Sequence, residues 1–343
     1  MYHNRPSPGR ALVVLLFLSL WTAALGQNRP NVVFIFADDL GYGDLKVYGH
    51  PYAETPNLDR LAAEGTVFKN FHVTGITCSP SRTGFMTSRS PVSYPNYMAD
   101  FGFQGVPTIT EILGNAGYRT GHFGKWHIGP DEEDGVYGID HVEIIGGGMG
   151  KDGVRDSRLF EAAMEFMEDE VKANSTKPFY VNIWGHISHS PVRPPPSLVK
   201  QFKNINIDSK DFGRHMQKKI KDHKKNANKM MQEYVAEVNA LDKLVGNVMD
   251  QLENLGGREN TITVFSSNQG PTPSYMGSSG ELWGDKFEFY EGGVQVPFIS
   301  SWTEVGGIPQ DKVNKNSLMS ALDWISTLCT ITGDNCDMDM YEG

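Results

Sequence analysis

Cysteine is scarce in this chain: Cys78, Cys329 and Cys336 are the only three among 343 residues. That is too few for a scaffold built on disulfides. Positive charge is also in short supply, with 31 Lys and Arg against 41 Asp and Glu and a formal net charge of −10. Generic binding to nucleic acid or to an anionic membrane surface is therefore not expected. Beyond the first two dozen residues no apolar run is long enough to cross a bilayer. No internal repeat or low-complexity block is present. Gly146-Gly147-Gly148 lacks the Lys-Ser/Thr of a phosphate loop and reads as a turn.

What is present begins with an export signal. Arg5 and Arg10 precede the short apolar run Ala11 to Trp21, and Ala24-Leu25-Gly26 supplies small residues for cleavage. Residues 1–26 are read as a signal peptide and 27–343 as the mature domain, secreted or lysosomal. The sequon Asn174-Ser175-Thr176 fits that route. Cys329 and Cys336 are near enough in sequence to pair, with geometry to decide, and Cys78 would then be left over. The one basic stretch, Arg214 to Lys229, reads either as a solvated surface or as a cationic rim for a polyanionic substrate.

Short apolar runs alternate with helical stretches, so the expected fold is α/β with a mainly parallel sheet flanked by helices. Strands are predicted at Asn31 to Phe36, Tyr118 to Phe123, Pro178 to Trp184, Thr261 to Ser266 and Val294 to Ser300. Thr55 is read as the N-cap of a short helix with Pro56 at its first position. Another helix follows Ser79-Pro80-Ser81, a third spans Thr108 to Ala116, and Met230 to Leu255 is long and amphipathic.

The polar residues fall just after these strands. Asp38 and Asp39 follow the first, Lys125 and His127 the second, His186 and His189 the third, and Asn268 and Gln269 the fourth. Ligands of open parallel sheets bind at the carboxyl ends of the strands. Adjacent carboxylates resist joint ionisation unless a cation neutralises them. Asp38 and Asp39, with the amide oxygens of Asn268 and Gln269, therefore read as a site for a hard cation such as calcium or magnesium rather than zinc.

Cys78-Ser79-Pro80-Ser81-Arg82 carries the most specific pattern, Cys-x-Pro-x-Arg. Together with Asp38-Asp39-Leu40-Gly41-Tyr42-Gly43-Asp44, Gly124-Lys125-Trp126-His127-Ile128-Gly129, His189-Ser190-Pro191 and Lys286 ahead of Tyr290-Glu291-Gly292-Gly293-Val294, it resembles the sulfatase family. The arylsulfatase and N-acetylgalactosamine-6-sulfatase branch is the most similar. The resemblance implies an alkaline-phosphatase-like domain and hydrolysis of sulfate monoesters, on sulfated sugars or glycosaminoglycans. It further implies a formylglycine made from Cys78 by the formylglycine-generating enzyme, and a calcium ion held by Asp38, Asp39, the modified Cys78, Asn268 and Gln269. Arg82 would stabilise the diol of the hydrated aldehyde, and Lys125 and Lys286 would hold sulfate oxygens. His189 would protonate the leaving alcohol, and His127 would deprotonate the diol to release sulfate. His186 is either a site residue or a satisfied structural histidine.

Two departures stand out. The family usually has Asp-Asn where this chain has Asn268-Gln269, which removes a negative charge from the metal shell and weakens calcium binding. Gln295 replaces a frequent Arg, a change expected to matter for structure rather than catalysis. The family's smaller C-terminal domain is expected to be missing or truncated. Two other functions remain open: a pseudo-sulfatase that binds sulfated glycans without turnover, and a phosphatase or phosphodiesterase of the same superfamily.

Overall fold

The β-branched and aromatic run opening at Asn31 forms the central strand β1, Asn31–Ala37. The computed structural model describes residues 29–147, 149–151, 153–173, 176–304, 307–333, 336–337 and 341–342. The signal peptide, Gly148 and the sequon residues Asn174 and Ser175 lie outside the described residues. Seven further strands complete the main sheet: β2 (Thr66–Phe68), β3 (Arg119–Gly124), β4 (His141–Glu143), β5 (Phe179–Trp184), β6 (Thr261–Ser267), β7 (Phe298–Ser301) and β8 (Lys312–Asn314). Their order is β4-β3-β5-β1-β6-β7-β2-β8. The pairs from β4 to β6 are all parallel, whereas β7 runs antiparallel to both β6 and β2.

Alternation along β1 divides the core. Val33 and Ile35 point into one layer, and Val32, Phe34 and Phe36 into the other. The first layer is closed by α1 (Pro56–Ala63), α4 (Ser157–Lys172) and α6 (Ala227–Asn254), the second by α2 (Cys78–Thr87), α3 (Ile109–Asn115) and α7 (Trp324–Thr332). Between α4 and α6 lies α5 (Arg214–His223), which carries much of the basic stretch. Burial on both faces explains why the central strands read as continuous apolar runs. The fold is the expected α/β architecture.

Several local expectations change. The strand predicted at Val294 starts only at Phe298; Glu291–Val294 instead forms a helical turn, and Pro297 has no N–H to give a ladder. Thr55 precedes α1 but does not cap it: its hydroxyl accepts from the Lys46 amide at 3.0 Å. Helix α2 begins at Cys78 itself rather than after Ser81, and α6 begins three residues before Met230, at Ala227. Thr108 does cap α3, in a reciprocal box with Glu111. Cys329 and Cys336 form a disulfide, with Cα atoms 6.1 Å apart, and Cys78 is free. No helix among the described residues is long and apolar enough to cross a membrane.

Candidate active site

The site lies where the carboxyl ends of β1, β3, β5 and β6 meet the amino end of α2. The β1 register sets Phe36 beside Trp184 and Ala37 beside Ser267, so the residues that follow emerge side by side. The loop after β1 can pass close to residues 278–280 because Gly41 and Gly43 have no side chain. A Cβ on Gly41 would sit 2.3 Å from the Ser278 carbonyl oxygen, and one on Gly43 2.4 Å from the Gly280 nitrogen. Asp44 locks that approach, accepting from the Ser278 amide at 2.7 Å and from Tyr234 Oη at 2.5 Å.

Cys78 occupies the first turn of α2, after an extended Thr77, and its Sγ is the focus of the pocket. The thiol donates to Asp38 Oδ1 at 3.4 Å. Lys125 Nζ lies 3.4 Å away, and Lys286 Nζ and Gln269 Nε2 each 3.5 Å. Behind them Lys125 pairs with Asp38 Oδ2 at 2.5 Å, and Lys286 with both oxygens of Asp39 at 2.8 and 3.0 Å. Arg82, one helical turn after Cys78 and wholly buried, reaches Asp38 Oδ1 at 3.6 Å and lies over the rings of Trp184 and Phe36. His189 Nε2 is 3.8 Å from Asp39 Oδ2. Its Nδ1 donates to the Ser190 carbonyl at 2.7 Å, which leaves Nε2 to face the pocket.

Three cations thus face two carboxylates. Burial opposes ionisation of Asp38, but Lys125, Arg82 and His189 outweigh it and hold that carboxyl far below its ordinary range. Asp39 is pushed up, by burial first and then by the charge of Asp38, against the pull of Lys286. Lys286 is raised because Asp39, Cys78 and Asp38 together overcome its burial. Burial and then Asp38 push the Cys78 thiol up despite the three cations. As a thiol, then, this residue stays protonated and is a weak nucleophile.

The oxygen donors also fit a cation. Asp38, Asp39, Asn268 and Gln269 are all buried, and Gln269 Oε1 has no hydrogen-bond partner. Asn268 Nδ2 donates to Asp38 and Gln269 Nε2 to Asp39, so both amides already face the carboxylates that would share an ion. Gln269 Oε1 is free, so a rotation of that amide would turn an oxygen inward, whereas Asn268 Oδ1 already accepts from the Asp39 amide at 2.9 Å. An all-oxygen set of this kind suits a hard divalent cation. Asp38, Cys78 and His189 also bring ligand atoms within 4.8 Å of one another.

The structure therefore brings Asp38, Asp39, Cys78, Arg82, Lys125, His189, Asn268, Gln269 and Lys286 together. His127 stands at the rim: it is exposed, in left-handed backbone at φ 64°, and its pKa is lowered by partial burial and by Lys125 and Arg82. His186 pairs with Asp156, with Nδ1 3.0 Å from Oδ1. Gln295 donates to the Lys69 carbonyl at 2.6 Å. The basic stretch is mostly solvated, but Lys219 is buried and pairs with Asp285 at 2.8 Å.

Sequence reasoning missed the supports. Arg155 Nη1 donates to the His189 carbonyl at 2.6 Å and lies 3.7 Å from Glu237 Oε1, which accepts the Arg193 amide at 3.0 Å. Asp156 takes the His186 and Ile187 amides at 2.6 and 2.8 Å. Glu237 interrupts the apolar stripe of α6, the only signal that could have marked it.

An α/β sheet that presents cations, carboxylates and one buried helix-start residue at its carboxyl edge defines a hydrolase-type site for a tetrahedral oxyanion. Residues 30–333 match the family described as Sulfatase, and the chain belongs to that family of sulfuric ester hydrolases. It is 31% identical to human arylsulfatase A over 93% of this chain and 67% of the relative. It is 30% identical to N-acetylgalactosamine-6-sulfatase of Rattus norvegicus, over 94% and 65% respectively. The chain thus spans about two thirds of the length of these relatives. Among solved structures, Ps i-CgsB in complex with k-i-k-neocarrahexaose superposes with a TM-score of 0.75 at 24% identity, covering 91% of this chain and 74% of that one. PsFucS1 sulfatase from Pseudoalteromonas sp. gives a TM-score of 0.68 at 24% identity, covering 96% and 72%.

Proposed function

We propose that the chain hydrolyses sulfate monoesters of a sulfated carbohydrate in a secreted or lysosomal setting, using a formylglycine made from Cys78 by the formylglycine-generating enzyme. The observation that carries this is the convergence of Lys125, Lys286 and Asp38 on a Cys78 that is itself a poor thiol nucleophile. The modification would supply an aldehyde hydrate, one hydroxyl of which attacks sulfur while the other is deprotonated to release sulfate. Calcium would be held by Asp38, Asp39, Asn268 and Gln269 and would lower the pKa of an oxygen at the Cys78 position.

The chain's own residues then divide the work. Lys125 and Lys286 hold the non-bridging sulfate oxygens and offset the charge that builds up in the transition state. Arg82, whose Nε and Nη2 are buried without a hydrogen bond although Nη2 lies 3.6 Å from Asp38, offers donors to the oxygens at Cys78. His189 gives a proton from Nε2 to the leaving alcohol, and the Arg155 bond to its carbonyl fixes the loop that carries it. His127, whose lowered pKa keeps it neutral at pH 7, is the base at the rim.

The test is the mass of the peptide spanning Cys78 after expression with the generating enzyme, paired with turnover of matched sulfate and phosphate esters. An aldehyde or hydrate mass and preference for the sulfate ester are expected. A plain thiol mass with no turnover would sink the proposal and leave a second reading, a pseudo-sulfatase that only binds sulfated glycans. One observation favours that rival: Asn268 satisfies Asp38 by donating a hydrogen bond where the family's usual acid would bring charge to a cation.

A further inference from the structure

Four large apolar side chains that remain exposed crowd into one short stretch around Lys286. Trp283 is 47% exposed, Phe287 61%, Phe289 86% and Tyr290 55%. Single exposed apolar residues need no explanation, but a group beside a charged pocket marks a binding surface. The segment that carries them is firmly held. Asp285 is buried, paired with Lys219 at 2.8 Å and with His215 at 3.1 Å. The Lys286 amide donates to Pro271 and the Phe287 amide to Ile76, both at 3.0 Å, and the Gly292 amide donates to Trp283 at 2.8 Å. The Trp283 ring stands edge-on to His215 at 4.9 Å.

Phe287 is the member that touches the chemistry. Its backbone is tied to Ile76, two residues before Cys78, and its ring centroid lies 5.4 Å from Lys286 Nζ. That same ammonium is 3.5 Å from Cys78 Sγ. The ring therefore begins where the anion pocket ends. A sulfate ester has an anionic end and an organic end. The anionic end belongs with Lys125, Lys286 and Arg82, and the organic end must lie toward the group that protonates it. His189 Nε2 and Lys286 Nζ both flank Asp39, at 3.8 and 2.8 Å. Phe287 thus adjoins the side from which the alcohol leaves.

We propose that Phe287 is a subsite for the ring of the alcohol that carries the sulfate. The ligand chemistry is a flat ring with an apolar face, aryl or pyranose. This rests on the sulfate-ester reading of the pocket and deepens it. Aromatic contacts of this kind contribute beyond their area, so removing the ring should weaken a ring-bearing ligand by about fivefold and leave a ringless one unchanged.

The test uses sulfonates, in which carbon is bonded directly to sulfur and no ester oxygen can be cleaved, titrated calorimetrically into the whole chain. Methanesulfonate has no ring, phenylmethanesulfonate has an aryl ring and 6-deoxy-6-sulfoglucose a pyranose. At least one ring-bearing sulfonate should bind about fivefold more tightly than methanesulfonate, and which one does so identifies the ring. Phe287→Ala should abolish that gain and Phe287→Tyr should keep it. Phe287 has φ 75°, so Phe287→Gly provides a second ring deletion that suits the backbone. Equal binding of all three sulfonates would overturn the proposal. So would a ring deletion that weakens methanesulfonate as much as the others, since the loss would then lie in Lys286. Sulfonates are not cleaved, so the result is separate from turnover. Ring-dependent binding without any ester hydrolysis would keep the subsite and remove the hydrolase reading.

Discussion

Glu237→Gln should change how stability depends on pH, and the size of the change follows from where the carboxyl sits. Glu237 is 1% exposed on α6; Oε1 accepts the Arg193 amide at 3.0 Å, and Oε2 has no partner. Burial raises its pKa from 4.5 to about 7, against the pull of the Arg193 amide and of Arg155. The folded chain then binds this proton more tightly than the unfolded chain, by about 3 kcal/mol. The sign is that of a raised acid: the stabilising proton is present below the unfolded pKa and is lost as pH rises toward 7. Between pH 5 and 8 the wild type should lose about 2 to 3 kcal/mol through this group. Glutamine keeps the Oε1 acceptor and places its amide at the unpartnered oxygen, so it resembles the protonated acid. Urea denaturation of both proteins at pH 5 and pH 8 gives the result as a difference. Near-equal stability at pH 5 and a mutant more stable at pH 8 are expected. Contributions from other buried acids, such as Asp44 with its pKa of about 7, cancel in that difference. If the gap between the proteins moves by less than about 1 kcal/mol across the range, Glu237 is ionised throughout as a partner of Arg155, and the reasoning from burial is wrong.

Three further outcomes follow from the site and its supports. Asn268→Asp would place a third carboxylate beside Asp38, so the melting temperature in chelator should fall and calcium should restore it; no gain in calcium affinity by titration would remove residue 268 from the metal shell. Lys286→Ala should cut kcat for a sulfate ester by roughly 10²–10³, the scale of losing one charge-stabilising donor; unchanged turnover would remove the lysine from the sulfate site. Lys219→Met leaves Asp285 buried with only His215 opposite, which should destabilise the chain by about 3 kcal/mol and raise KM for the ester. Lys219→Arg should recover part of both, and an unaffected KM would show that the brace does not reach Lys286.

The main features of the fold were legible because burial on both sheet faces writes apolar runs into the sequence, as at Asn31–Ala37 and Thr261–Ser267. The site was legible because its polar residues follow those runs directly, and because Cys78 and Arg82 sit one turn apart. Lys286 was read only from the resemblance: it follows no strand, and only tertiary packing brings it to Asp39. His186 could not be decided, because its partner Asp156 lies 30 positions away and shows no local sign. Lys219 looked like its solvated neighbours on α5, and only its contact with Asp285 sets it apart. The strand near Val294 was misplaced because Val294 and Val296 suit a strand by type, whereas the Gly292-Gly293 turn and Pro297 interrupt the ladder.

The burial of α2 puts a constraint on the order of events in the life of the chain. Cys78, Ser79, Ser81 and Arg82 are all buried, Pro80 is only partly exposed, and the stretch is wound into a helix whose Ser81 hydroxyl is tied to the Asn268 carbonyl. An enzyme that read Cys-x-Pro-x-Arg would have to reach these side chains, and the finished fold buries most of them. Any conversion of Cys78 must therefore come first, while the chain between β1 and β6 is still open. A chain that closes early would keep its thiol for good, however much of the converting enzyme it met afterwards.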